Sequence, residues 1–261
     1  MLLAGLVAAA GVAAYAEPAA HQEVVRRSLA PAAAPEQVGF DSARLKRLDD
    51  YVAGSVADGK LVGATTLLAR HGKIVAFNTY GRKSLGGEPV ARDTIFRIYS
   101  MTKPITGVAM MILFEEGKFR LDDPVTDHIP GFKALKVMTD VDAAGNPILV
   151  DMNRPPTMRE LMSHTAGFGY GLSADSPADR IYRAQAVLNA DSMDQFAERA
   201  AKVPLLFQPG SSFNYSLSVD IQGYLVEKLS GRKFGAFLEE RIFRPPLGST
   251  GCARSAGAAR R

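Results

Sequence analysis

The sequence predicts a mixed α/β protein, and three observations carry that expectation. Residues 64–70 and 74–80 are β-favouring runs separated by His71-Gly72-Lys73, the pattern of a hairpin. Later stretches repeat apolar side chains every three to four positions behind capping residues, the pattern of amphipathic helices. With 261 residues, 47% of them hydrophobic, the chain is long enough to bury one large or two modest cores.

Composition excludes several functions. A net charge of +4, with Lys and Arg scattered and not interleaved with aromatics, leaves no nucleic-acid footprint and implies no acidic partner. One cysteine, Cys252, rules out an internal disulfide framework and any cysteine metal cluster. His21, His71, His128 and His164 show no paired ligand spacing, so neither a metal nor another cofactor is expected. Residues 1–16 are an apolar run closing on Ala14-Tyr15-Ala16, which predicts a secretory leader and a periplasmic or secreted protein. That run is too short to span a bilayer. It lacks the usual leading basic residues, which leaves a start upstream of Met1 or a plain unstructured leader as alternatives.

Residues 17–35 form a linker, Ala- and Pro-rich over 30–35; residues 36–248 form the folded domain. Asp41 caps a helix with Leu45, Leu48, Val52 and Val56 on one face and Gly59 as its stop. The hairpin follows, and after it a turn-rich stretch, 81–89. Ile105, Val108, Met111, Ile112 and Leu113 predict a buried helix ending at Gly117. Residues 121–156, broken by Pro124, Pro130, Gly131, Gly145, Pro147, Pro155 and Pro156, predict a long irregular region. Thr157-Met158-Arg159-Glu160 and Ser192-Met193-Asp194-Gln195 are capping boxes opening two helices, with Phe196, Ala197, Ala200 and Val203 on one face of the second. Gln208-Pro209-Gly210 is a turn. Val219, Ile221, Leu225, Val226 and Leu229 mark a helix ending at Gly231, and Phe234, Phe237, Leu238 and Ile242 mark another.

The chemistry concentrates at Ser100-Met101-Thr102-Lys103. Residues three apart share one face of a helical turn, so the Lys103 amine lies near the Ser100 hydroxyl, and a serine needs such a neighbouring base to become a nucleophile. Pro104 is tolerated only in a first helical turn, which starts the helix near Ser100. The unpaired amides and positive dipole end there favour the negative oxygen of an acyl-transfer intermediate. The same spacing also arises by chance in proteins of this length.

Ser100-Met101-Thr102-Lys103, Leu121-Asp122-Asp123-Pro124, Leu161-Met162-Ser163-His164-Thr165-Ala166-Gly167 and Tyr215-Ser216 occur in that order. Over residues 35–247 the chain thereby resembles the serine β-lactamase-related hydrolases: class C β-lactamases, D-alanyl-D-alanine carboxypeptidases and family VIII carboxylesterases. The resemblance implies a β-lactamase/penicillin-binding-protein-like fold, an antiparallel sheet flanked by helices plus an all-helical portion, with the serine between them. It also implies that Ser100 attacks a carbonyl while Lys103 and Tyr215 share proton transfer. Without it, Tyr215 reads as a half-buried aromatic with a wet hydroxyl. His164 invites comparison with a triad base, but its place at a helix end and the resemblance give it a structural role. Asp122 and Asp123 read as loop caps, neither acid catalysts nor metal ligands.

Two departures from the family pattern stand out. Tyr215-Ser216-Leu217 replaces Tyr-x-Asn, removing an amide that could pair with a substrate amide and tilting the expectation toward esters. After Ile242-Phe243-Arg244-Pro245-Pro246-Leu247-Gly248 the family continues into further strands, whereas residues 249–261 are an Ala-, Gly- and Arg-rich tail. That change predicts a shifted reading frame or truncated gene, an exposed sheet edge and a missing oxyanion donor; Ser249-Thr250-Gly251 is not read as the missing motif. The expected function is hydrolysis of short-chain carboxylic esters through an acyl-serine, with no stable membrane span and no assignable oligomeric state. A β-lactamase or D,D-peptidase and an inactive binding or remnant protein are its rivals.

Overall fold

A computed structural model describes residues 29–32, 34–172 and 176–244. The expected leader, most of the linker, Pro245-Pro246, Cys252 and the tail lie outside them. Three strands form one sheet: β1 (Ala30–Pro31), β2 (Gly63–Arg70) and β3 (Lys73–Gly81), in the order β1-β3-β2. β2 and β3 pair antiparallel through a two-residue turn in which His71 (φ 51°) and Gly72 (φ 71°) are both left-handed, a turn whose twist matches that of the strands. β1 pairs parallel with β3, so two residues expected in the linker belong to the sheet. α1 (Ser42–Ala57) starts at Asp41, whose carboxylate accepts the Arg44 N–H at 2.9 Å. It is tied to β3 through Asp49, which accepts from Tyr80 Oη at 2.6 Å and Asn78 Nδ2 at 2.9 Å.

The main core lies in a helical body made by α2 (Thr102–Glu115), α4 (Met158–Met162), α6 (Met193–Ala200), α7 (Ser218–Ser230) and α8 (Phe234–Leu238), the last continued by a π-helical turn, Glu239–Phe243. Met110, Leu161, Phe196, Leu225 and Phe237 are buried together there. α3 (Val125–His128) and α5 (Pro177–Ala184) complete the helices. α2 packs against α7, and this pairing fixes the site, because the nucleophile leads into one helix and Tyr215 into the other.

Two expectations need correction. The region 121–156 is not irregular throughout: β4 (Lys136–Val141) and β5 (Pro147–Asp151) form a hairpin, and β4 also exchanges backbone hydrogen bonds with Leu205 at 2.8 Å. Its prolines sit at strand ends and in the loops, where no ladder donor is lost. α2 is also less buried than its apolar sequence implies, since Val108 is 50% and Met111 38% exposed. The α2 face carrying Met110 and Leu113 enters the core and the other faces outward.

The Thr157 capping box forms as expected. Thr157 Oγ1 accepts the Glu160 N–H at 3.2 Å, and Glu160 Oε2 accepts the Thr157 N–H at 2.9 Å. Arg154 grips the same carboxylate, holding it below the usual carboxylate range, and also donates to the Pro209 carbonyl at 3.2 Å. The cap thus anchors the turn that precedes Tyr215. Gly210 there has φ 84° and leaves no room for a side chain beside Glu160. We expect Thr157→Ala to destabilise the fold by about 1 kcal/mol, read as a lower denaturant midpoint at unchanged slope. In the second box Ser192 caps the Gln195 amide at 3.1 Å, but the Gln195 side chain reaches Asp191 N and not Ser192 N.

Candidate active site

Ser100 lies on a single 3₁₀ turn, Tyr99–Met101, that runs directly into α2. Its amide therefore belongs to the first N–H groups of a helical segment, which have no partner within the helix and point toward developing negative charge. Tyr99, immediately before it, has φ 43°, a left-handed value rare for a bulky residue. Such backbone outliers gather at functional sites. Lys103, one turn along, donates from Nζ to Ser100 Oγ at 3.1 Å.

Tyr215 arrives from the opposite side, three residues before α7. Its Oη lies 2.7 Å from Ser100 Oγ and accepts a short hydrogen bond from Lys103 Nζ. The three side chains that the sequence singles out therefore meet in one closed triangle. The hydrogen bond from Lys103, then that from Ser100, holds the Tyr215 hydroxyl below the ordinary phenol range. The phenol oxygen thus lies within hydrogen-bond reach of both the Ser100 hydroxyl and the Lys103 amine.

His164 supports this triangle without joining it. Its ring stacks on Tyr215 with centroids 5.3 Å apart and planes 8° apart. Its Nδ1 accepts the Ser216 N–H at 3.2 Å and lies 3.0 Å from Ser216 Oγ, so the ring proton sits on Nε2. Burial, then the charge of Lys103, pushes the imidazole below its ordinary range and keeps it neutral. The unfolded chain binds that proton more readily, so folding stability falls as pH drops below about 6.5. We expect His164→Ala to lower kcat on the order of ten- to a hundredfold by letting Tyr215 drift. Steady-state kinetics, with near-ultraviolet circular dichroism to verify folding, checks this.

Two site residues escape the sequence reading. Tyr170 meets the Tyr215 ring edge-on at 5.5 Å. Asp220, on α7, lines the same cavity as Ser100 and Lys103; burial raises its carboxyl group, opposed by its own amide and by Lys103. An acid among the apolar residues of α7 is the signal that could have found Asp220. Leu217 is fully buried, so position 217 offers the site no amide. Of the two expected loop caps, Asp123 accepts the Arg120 N–H at 2.7 Å, whereas Asp122 pairs with the distant Arg159 at 3.0 Å. Among the described residues, no group of His, Cys, Asp or Glu could hold a metal ion.

Ser100, Lys103 and Tyr215 thus converge at the head of α2, a geometry suited to serine acyl transfer. Residues 48–261 match the Beta-lactamase family model, and the chain belongs to that family. It is 34% identical to esterase EstB of Burkholderia gladioli over 224 residues, covering 84% of this chain and 54% of EstB. Among solved structures, EstCE1, a hydrolase with promiscuous acyltransferase activity, superposes with TM-score 0.63 at 30% identity, covering 77% of this chain and 51% of its own. A simvastatin synthase (LovD) variant from Aspergillus terreus gives TM-score 0.65 at 29% identity, with 81% and 52% covered. The chain spans about half the length of each relative.

Proposed function

We propose that the protein hydrolyses carboxylic esters through an acyl-serine intermediate. The observation that carries this reading is the Ser100–Lys103–Tyr215 triangle, and similarity to EstB and EstCE1 supports esters over amides. Tyr215 Oη takes the Ser100 proton while Oγ forms a bond to the ester carbonyl carbon. The Lys103 ammonium stabilises the phenolate, and the Ser100 amide faces the negative carbonyl oxygen. Collapse breaks the bond to the leaving alkoxide, which receives the proton from Tyr215. Water then enters by the same proton route, releasing the carboxylic acid and free Ser100.

Side-by-side turnover of p-nitrophenyl butyrate and nitrocefin tests the reading. Faster ester turnover is expected. Faster nitrocefin turnover would overturn the ester preference in favour of β-lactam chemistry, and no turnover of either would favour a binding or remnant protein. Export rests on the leader sequence, and the N-terminal mass of protein recovered from the secretory compartment tests it: removal of residues 1–16 is expected, and their retention contradicts it. Among the described residues, no helix is long and apolar enough to cross a membrane.

A further inference from the structure

The cavity at Ser100 extends well beyond the catalytic triangle. It encloses about 700 Å³ and passes between α2, α6 and α7 to the start of α8. Val219, Asp220, Gly223 and Glu227 line it from α7, a spacing that puts them along one side of that helix. Phe196 and Phe234 contribute apolar wall from the facing helices. Charge stands toward the two ends. Asp220 lies within the field of Lys103, and Glu227, two turns further along α7, is already held by Lys233 at 3.1 Å and by the Phe234 N–H at 2.8 Å. Thr106, also in the lining, turns its hydroxyl back to the Thr102 carbonyl at 3.1 Å, so that hydroxyl is already satisfied within α2.

Gly223 supplies a second, independent observation. It is buried in the middle of α7, where glycine is a poor helix residue. A buried helical glycine commonly lets a neighbouring backbone approach, yet a Cβ built here meets nothing within 4 Å. The space in front of Gly223 is the channel itself.

We propose that this channel binds the acyl group of the substrate and takes aliphatic acyl chains of up to about eight carbons, with Gly223 keeping its far half open. The length follows from the 1.5 Å rise of the helix, which separates Val219 from Glu227 by roughly 12 Å. Short acyl chains fill only the part next to Ser100. The proposal rests on the ester-hydrolase reading for its chemistry, but its geometry can be tested apart from turnover.

The experiment compares p-nitrophenyl esters of acetate, butyrate, hexanoate, octanoate and dodecanoate on the full chain and on Gly223→Leu. Each methylene buried is expected to raise kcat/KM about fourfold up to octanoate, with a fall at dodecanoate. In Gly223→Leu the octanoate-to-butyrate ratio should drop by about 250-fold, the worth of four methylenes, because the new side chain closes the far half. Gly223→Ala should shift it less and raise the unfolding midpoint, which separates channel blockage from misfolding. Calorimetric binding of octanoate and butyrate to Ser100→Ala supplies the reading that needs no turnover: octanoate should bind more tightly, and Gly223→Leu on that background should erase the difference. A preference for butyrate in both turnover and binding, or a ratio unmoved in Gly223→Leu, overturns the proposal. Chain-length-dependent binding without ester turnover keeps the channel and removes the hydrolase reading.

Discussion

Exchange of Ser100 for alanine is expected to lower ester turnover by a factor on the order of 10⁵ to 10⁶. The loss is this large because Ser100 Oγ is the shared vertex of the triangle, 2.7 Å from Tyr215 Oη and 3.1 Å from Lys103 Nζ. Removing it leaves a lysine–tyrosine pair with no atom to acylate. Folding should change little, since Ser100 is exposed and its side chain bonds only these two groups. Steady-state assays on p-nitrophenyl butyrate read the loss, and an unfolding curve superimposable on the parent's would attribute it to chemistry. Retention of more than about a hundredth of the activity would place the nucleophile elsewhere.

Tyr215→Phe should cost about 10² to 10⁴-fold in kcat. Phenylalanine preserves the stack on His164 and the edge contact with Tyr170, and it removes only the oxygen that accepts from Lys103 and faces Ser100. The substitution therefore isolates proton transfer from packing. It also carries a pH signature. The proposed mechanism uses the phenolate, and the hydrogen bond from Lys103 places its transition below the ordinary phenol value of 10.0. Activity of the parent should rise with pH through that transition, and the rise should vanish in Tyr215→Phe. An unchanged pH profile in the variant would assign the base role to Lys103 alone.

Much of this site was legible in the sequence because its determinants are local. Ser100 and Lys103 are three residues apart on one turn, and Pro104 marks where that turn must start. Asp41, Thr157 and the left-handed pair His71-Gly72 likewise act within a few residues of themselves. Tyr215 is different: 115 residues from Ser100, it joins the site only because α2 packs on α7, and motif order identified it where periodicity could not. Asp220 and Tyr170 had no motif, and their roles arise from where α7 and the 163–172 segment fold back on the triangle. The β4–β5 hairpin was missed because prolines and glycines at strand ends look, in sequence, like breakers of the strands themselves. The outward face of α2 was missed because an apolar composition does not say which residues find a partner.

The most direct test of an activated Ser100 is the intact mass of the protein before and after a fluorophosphonate probe, followed by peptide mapping. The triangle predicts one adduct, on the peptide carrying Ser100, lost in Ser100→Ala and strongly slowed in Tyr215→Phe. No adduct on folded protein, or an adduct that persists in Ser100→Ala, would contradict the assignment of Ser100 as a nucleophile activated by Lys103 and Tyr215.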